Sequence, residues 1–282
     1  MKKITRRSFM AAAGLTVAAL ALTACGGSSS TASSAAASSV ASSAAASSEA
    51  ASAAATELTT VEAGKLTMAT NAAFPPYEMT TDAGEFEGID IETAQAIADK
   101  LGLELQIDDM DFDAALLSVQ QGKADIVMAG VTVTDERKAV MDFSDSYATG
   151  IQSIIVPEGS DIASPDDLAG KMIGTQRGTT GYLYCSDDFG DENVVAYDDG
   201  LTAVQALNNG QVDAVVIDNA PAKEFVAANP GLVILDTSYA EEDYAIGMAK
   251  GSSLEDAVNA ALVELKADGT LQSIVDKYIT AE

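Results

Sequence analysis

Through most of residues 57–282, short apolar runs alternate with stretches whose apolar residues recur every three or four positions. That alternation predicts an α/β architecture built on mainly parallel sheets. Leu66-Thr67-Met68-Ala69 predicts a first strand, and Asp90 reads as the N-cap of a helix that sets Ile91, Ala94, Ile97, Ala98 and Leu101 on one face. Leu103 to Ile107 predicts a second strand, Asp111 to Gln121 a helix, and Ala124 to Met128 a third, wholly apolar strand. The spacing is that of right-handed βαβ crossovers.

A second series starts with a strand at Ile151 to Val156 and a short helix opened by Ser164-Pro165-Asp166-Asp167, with proline at a permitted first-turn position. Strands follow at Lys171 to Thr175, Asn193 to Tyr197 and Val212 to Ile217, with helices after Thr179, at Leu201 to Asn208 and at Pro221 to Ala228. Tyr244 to Met248 predicts one more strand. Leu254 to Lys266 and Leu271 to Ile279 then predict two helices with no strand between them, a closing pair that can pack back on the first lobe and make it discontinuous in sequence.

The start of the chain escapes this pattern. Lys2, Lys3, Arg6 and Arg7 precede an uncharged run from Phe9 to Ala24, too short to cross a bilayer as a helix, so 1–24 read as a secretory signal. Leu22-Thr23-Ala24-Cys25 resembles a bacterial lipobox, a resemblance that makes Cys25 the lipid-bearing first residue of the mature chain; an ordinary signal with a chance cysteine is the bland alternative. Thr5-Arg6-Arg7-Ser8-Phe9-Met10 is also similar to a twin-arginine signal, which leaves the export route open between two systems. Gly26 to Thr56 holds 13 Ala and 12 Ser among 31 residues and has nothing to bury. It reads as a flexible tether with a reach of about 30 Å, so 25–63 are assigned to the lipidated cysteine and its spacer. With Cys25 acylated, Cys185 has no intrachain partner and no disulfide is expected.

Charge and composition then narrow the chemistry. The chain carries 15 Lys and Arg against 43 Asp and Glu, a net charge of −28, and four of its basic residues lie in the leader. Nucleic acid and anionic lipid are poor partners for such a surface. There is no His, which removes Ser-His-Asp and Cys-His nucleophiles and any His/Cys zinc cluster; neither a metal nor a cofactor is expected. Asp108, Asp109, Asp111 and Asp113 lack the spacing of a calcium loop and read as a solvated edge.

Beyond the leader only two arginines remain, Arg137 and Arg177. Arg137 follows the third strand by a short polar turn, at the carboxyl edge where open α/β sheets bind ligands. Its fork can hold a carboxylate, with the amides of Gly130 and Thr132 as neutral donors; a surface arginine paired with Asp135 or Asp142 fits the position equally. Asp218 ends a strand of the second series, where it can take an ammonium group or simply cap the next helix. The loop Gln176-Arg177-Gly178-Thr179-Thr180-Gly181 enters a helix and can face an anion, without the ending of a nucleotide P-loop. Phe74 and Phe112, each just after a strand, are candidate pocket walls or core residues.

Together these pieces resemble the family 3 extracellular solute-binding proteins, receptors of polar amino-acid ABC importers. The resemblance covers about 64–282 and is carried by Ala72-Ala73-Phe74-Pro75-Pro76-Tyr77-Glu78, Gly88-Ile89-Asp90-Ile91, Met110-Asp111-Phe112-Asp113, Gly122-Lys123-Ala124-Asp125, Ala129 to Arg137, Asp142-Phe143-Ser144, Gly178-Thr179-Thr180 and Ala214 to Asp218. It implies a two-lobe periplasmic-binding-protein fold of type II kind, two mainly parallel sheets joined by a two-strand hinge near Gly150–Ser153 and Glu242–Ala245. Lobe one would then be 64–150 plus 246–282, and lobe two 151–245. By the same resemblance Phe74 and Phe112 sandwich the ligand side chain and Gly130 and Thr132 bind its α-carboxylate beside Arg137. Thr179 or Thr180 adds a closing-lobe amide, and Asp218 holds the α-ammonium. Relatives with glutamine or cationic ligands carry Asp where this chain has Asn71, and Gln176 and Ile217 stand where relatives vary, so the ligand is expected to be a neutral polar L-amino acid; Arg177 either attracts an acidic ligand or points to solvent. The implied protein is a monomer, lipid-anchored at the outer face of the cytoplasmic membrane, whose partners are the ligand and the permease subunits of an ABC importer. Two other classes stay open: a cyclohexadienyl-dehydratase-like enzyme with Asp218 or Glu78 as general acid, and a sensory ectodomain.

Overall fold

The computed structural model describes residues 58–279; the predicted signal, Cys25 and most of the tether lie outside them. Strand β1 (Lys65–Thr70) is buried from Leu66 onward and opens the first sheet. Three short strands follow, β2 (Ala73–Phe74), β3 (Glu78–Thr80) and β4 (Phe86–Glu87), paired antiparallel as a small separate sheet that the period-two pattern is too brief to show. Helix α1 (Ile89–Leu101) buries Ile91, Ala94, Ile97 and Ala98. Its N-cap is Gly88, not the predicted Asp90, which sits fully buried in the first turn. Gly88 has φ 132°, and a Cβ there would run into the Tyr77 carbonyl, so only glycine fits the approach.

Strand β5 (Glu104–Asp109), helix α2 (Phe112–Gln120), the short β6 (Ile126–Val127), helix α3 (Asp135–Val140) and β7 (Met141–Phe143) complete the first passage. The chain then enters the long β8 (Ala148–Pro157) of the second sheet. There β9 (Ile173–Gln176), α4 (Thr180–Phe189), β10 (Val194–Tyr197), α5 (Gly200–Asn208), β11 (Ala214–Asp218), α6 (Asn219–Ala228), β12 (Leu232–Ile234) and β13 (Ala240–Tyr244) follow in order. Ser164 to Leu168 forms a single 3-10 turn with a capping box.

The predicted strand Tyr244 to Met248 divides where the chain returns to the first sheet: β13 ends at Tyr244 and β14 (Gly247–Ala249) pairs with β6 and β7. Helices α7 (Glu255–Ala267) and α8 (Thr270–Tyr278) then pack on α1. Lys100 pairs with Glu264, Lys277 with Glu92, and the Tyr278 hydroxyl accepts from the Gly88 amide.

Both sheets are mixed. The order β5-β1-β6-β14-β7 is parallel through β6 and antiparallel beyond it. In β10-β9-β11-β8-β12 the first three strands are parallel, while β8 runs against β11, β12 and β13. Each sheet with its helices makes one lobe, and the chain passes between the lobes twice, side by side, from Ser144 to Gln152 and from Ala240 to Ile246. Because the parallel strands of both sheets end toward the same cleft, their loops converge on one site.

Candidate functional site

Asn71, Phe74, Phe112, Gly130, Thr132, Arg137, Gln176, Thr179, Thr180 and Asp218 line one pocket in that cleft, which encloses about 430 Å³ with its open mouth included. Glu78, Gln152, Ile217 and Tyr244 also line it.

Arg137 is placed by α3, whose N-cap Thr134 accepts from the Arg137 amide at 3.1 Å. The side chain is 8% exposed. Nη1 donates to the Thr132 carbonyl at 2.7 Å and Nη2 to the Gly178 carbonyl at 3.1 Å, with the guanidinium 5.4 Å from the centre of the Phe112 ring. Both bonds go to carbonyls and neither to a carboxylate. The surface-pair alternative does not hold: Asp142 is bonded instead by Lys250 at 2.6 Å and by the Gly251 amide. Arg137 thus keeps its formal charge and several donors for a further anion, although burial lowers its affinity for the proton.

Asp218 caps the next helix, one of the two roles expected of it, and also lines the pocket. One oxygen caps α6 by accepting from the Ala220 amide at 3.1 Å; the other accepts from the Tyr244 hydroxyl and the Ile151 amide, each at 2.8 Å. Burial raises its pKa to about 6, against the opposing pull of these bonds.

Two more carboxyls are fully buried: Glu78 in the pocket lining and Asp90 behind it. Asp90 accepts from the Tyr147 hydroxyl at 2.7 and 2.8 Å and from the Gly130 amide at 3.0 Å. The Gly130 amide, expected to face a ligand, is therefore engaged by Asp90, while Gly130 lines the pocket. Neither Glu78 oxygen has a donor partner among the described residues, and its neighbour Asp90 can bond it only when one of the two keeps a proton. Burial and the Asp90 charge push Glu78 well above the usual carboxylate range, and burial brings Asp90 to about 6.

Two bonds join the lobes directly, Gln176 Nε2 to Asn71 Oδ1 at 2.8 Å and Arg137 Nη2 to the Gly178 carbonyl, and the Thr132 and Thr180 hydroxyls stand 3.4 Å apart. Arg177 turns away, half exposed, toward the Ala196 carbonyl and Asp198. Sequence reasoning gave no site role to Gln152 or Tyr244, and it weighed Glu78 only as an acid. Their signal is an inward polar residue on a strand or turn, at Gln152 inside the apolar β8 and at Tyr244 ending β13.

Gly150 shows how tightly this region packs. A Cβ there would lie 2.5 Å from the Tyr244 ring and 2.7 Å from Asp218 Oδ2. Gly150→Ala is expected to displace both groups, to cost about 1–3 kcal/mol in a urea melt, and to weaken ligand binding in calorimetry at least tenfold. Unchanged affinity would show that the ring yields without moving Asp218.

Among known proteins, residues 66–281 match the model of the bacterial extracellular solute-binding proteins, family 3. The L-cystine-binding protein TcyJ of Escherichia coli is 33% identical over 226 residues, 78% of this chain and 85% of the relative. The solved arginine-, lysine-, histidine-binding protein ArtJ of Geobacillus stearothermophilus is 34% identical, covers 77% of this chain and 96% of its own, and superposes with a TM-score of 0.74. An ancestral arginine-binding protein bound to glutamine is 41% identical with a TM-score of 0.74, covering 78% of this chain and all of that one.

Proposed function

Since the chain belongs to the bacterial extracellular solute-binding proteins of family 3, we propose that it captures a free L-amino acid between its lobes, outside the cytoplasmic membrane, and delivers it to an ABC importer. The observation that carries this reading is the pair Arg137 and Asp218: a buried guanidinium bonded only to carbonyls and a buried carboxylate, on different lobes, lining the same pocket. Arg137 takes the α-carboxylate with the amides of Thr132 and of Thr180, the latter an unpaired donor at the first turn of α4. Asp218 takes the α-ammonium, and Phe74 and Phe112 flank the side chain. A zwitterion that touches both lobes favours their closed arrangement, with the paired crossings at Gly150–Ser153 and Glu242–Ala245 as hinge. No bond is broken.

Asn71 supports a neutral polar ligand, but its carboxamide is engaged by Gln176 and by the Met110 carbonyl. The free acceptor in the pocket is Glu78. Two buried carboxyls, Glu78 and Asp218, line the pocket with the one guanidinium of Arg137, so the site favours a side chain rich in donors: a cation first, such as a guanidinium, and a carboxamide second. Calorimetric titration of the refolded chain with the twenty L-amino acids and cystine tests this. Binding of arginine or lysine, lost about tenfold or more in Glu78→Gln while glutamine binding holds, is expected. Preference for glutamine or serine unaffected by that change restores the neutral ligand, and turnover of prephenate would move the protein to the enzyme class.

The remaining parts of the reading concern delivery. A lipid on Cys25 and the Ala/Ser tether would hold a monomeric receptor at the outer face of the membrane; among the described residues no helix is long and apolar enough to cross it. Mass spectrometry of the Cys25 peptide from membranes tests the anchor.

A further inference from the structure

One buried carboxylate has no part in the binding scheme above: Glu242. It lies on β13, where Glu242 and Tyr244 are buried while Glu241 and Asp243 face solvent. Its Oε2 accepts from the Thr132 hydroxyl at 3.1 Å, the Thr180 hydroxyl at 3.0 Å and Gln152 Nε2 at 3.0 Å. Thr132 follows β6 in the first lobe, Thr180 opens α4 in the second, and Gln152 belongs to β8, the other crossing strand. A single oxygen therefore collects donors from both lobes and from the strand beside its own.

The bonding capacity of the threonines sharpens the point. Each hydroxyl has one proton, and a proton given to Glu242 is not available to a ligand carboxylate. The two hydroxyls are thus anchors for the hinge strand, and the ligand is left the backbone amides of the same residues. We propose that Glu242 is a positioning residue that latches the lobes: it holds Thr132 and Thr180 together across the cleft and links the β13 crossing to closure. Losing the latch lowers the closed fraction, and apparent affinity falls in proportion to the binding-competent population. The affinity readout rests on the proposed amino-acid function; the lobe separation does not.

The test combines both readouts. In titrations with L-arginine and L-glutamine, Glu242→Ala is expected to weaken binding about tenfold or more, mainly through faster dissociation. Glu242→Gln, which keeps an acceptor oxygen, should recover most of that loss. Thr180→Val removes the same bond from its other end, so the double variant with Glu242→Ala should lose little more than the worse single one. Lobe separation is read from spin labels at Leu117→Cys on α2 and Leu183→Cys on α4, both exposed, in a Cys25→Ser background. Glu242→Ala should shift the distances longer. Additive losses together with an unchanged distance distribution overturn the latch. If the parent chain binds neither amino acid, the ligand reading falls and the distances alone decide. If Glu242→Ala does not fold, Glu242→Gln and Thr180→Val carry the same comparison.

Discussion

Arg137→Ala is expected to weaken amino-acid binding by a hundredfold or more, about 3 kcal/mol, the range for removing one partner of a buried, hydrogen-bonded charge pair. The size follows from how the protein itself holds the guanidinium. It is buried, it stacks near Phe112, and it is satisfied only by the carbonyls of Thr132 and Gly178. A buried cation in that state has already been desolvated, so an incoming carboxylate gains a charge-assisted contact without a fresh desolvation cost on the protein side. The Gly178 carbonyl belongs to the opposite lobe, which adds loss of an interlobe bond to loss of the ligand contact. Arg137→Lys keeps the charge but not the planar fork and should fall between the two. Asp218→Asn should cost a comparable amount through the ammonium end, while leaving a carboxamide oxygen for Tyr244 or Ile151. Calorimetry with arginine and glutamine, beside urea melts of each variant, separates binding from folding. Affinity within threefold of the parent in both Arg137→Ala and Asp218→Asn would sink the assigned clamp.

How much of this could be read from the chain depends on how far apart the partners lie in sequence. The apolar runs around β1, β9 and β11 report themselves, because parallel strands buried on both faces need no distant partner to be recognisable. Arg137 and Asp218 followed from their place at strand ends. Glu242 did not: in Ala240-Glu241-Glu242-Asp243-Tyr244 three consecutive acids resemble a solvated turn, and only pairing with β8, some ninety residues earlier, decides which of them faces inward. Asp90 reads as a cap because its residue type suits one. The hydroxyl of Tyr147, fifty-seven positions away, is what makes its burial tolerable. Of the two- and three-residue strands, β2, β3, β4, β7 and β12 exist through their neighbours, and no period can be counted in them. The signal and Cys25 stand on sequence alone, since they precede the described residues.

A rise in pH from about 5 to 8 is expected to destabilise the ligand-free fold and to strengthen its hold on a cationic ligand. Asp90 and Asp218 are raised from 3.8 to about 6, and Glu78 is raised further above 4.5. The folded chain then binds more protons than the unfolded one between these values, so stability falls as pH rises through the folded pKa values. A carboxyl moved by about two units contributes roughly 3 kcal/mol across its whole titration, of which about 1.4 kcal/mol falls between pH 5 and 8. Asp142, Asp167, Asp268 and Glu92 have lowered values through their hydrogen bonds and act in the opposite sense, but their contribution is lost only on acidification below about pH 4.5, outside the window. An arginine or lysine side chain against Glu78 replaces the proton that Glu78 and Asp90 share, so binding releases protons and affinity rises with pH. Melting midpoints at pH 5, 6, 7 and 8, with and without saturating arginine, should therefore diverge, the ligand-free curve descending more steeply. The general repulsion of a highly acidic chain also grows with pH, and the Glu78→Gln variant separates the two causes: it retains the repulsion and loses the buried acid. Identical slopes in the parent and in Glu78→Gln would mean that Glu78 titrates as an ordinary carboxylate, and the cationic side-chain site would then lose its physical basis.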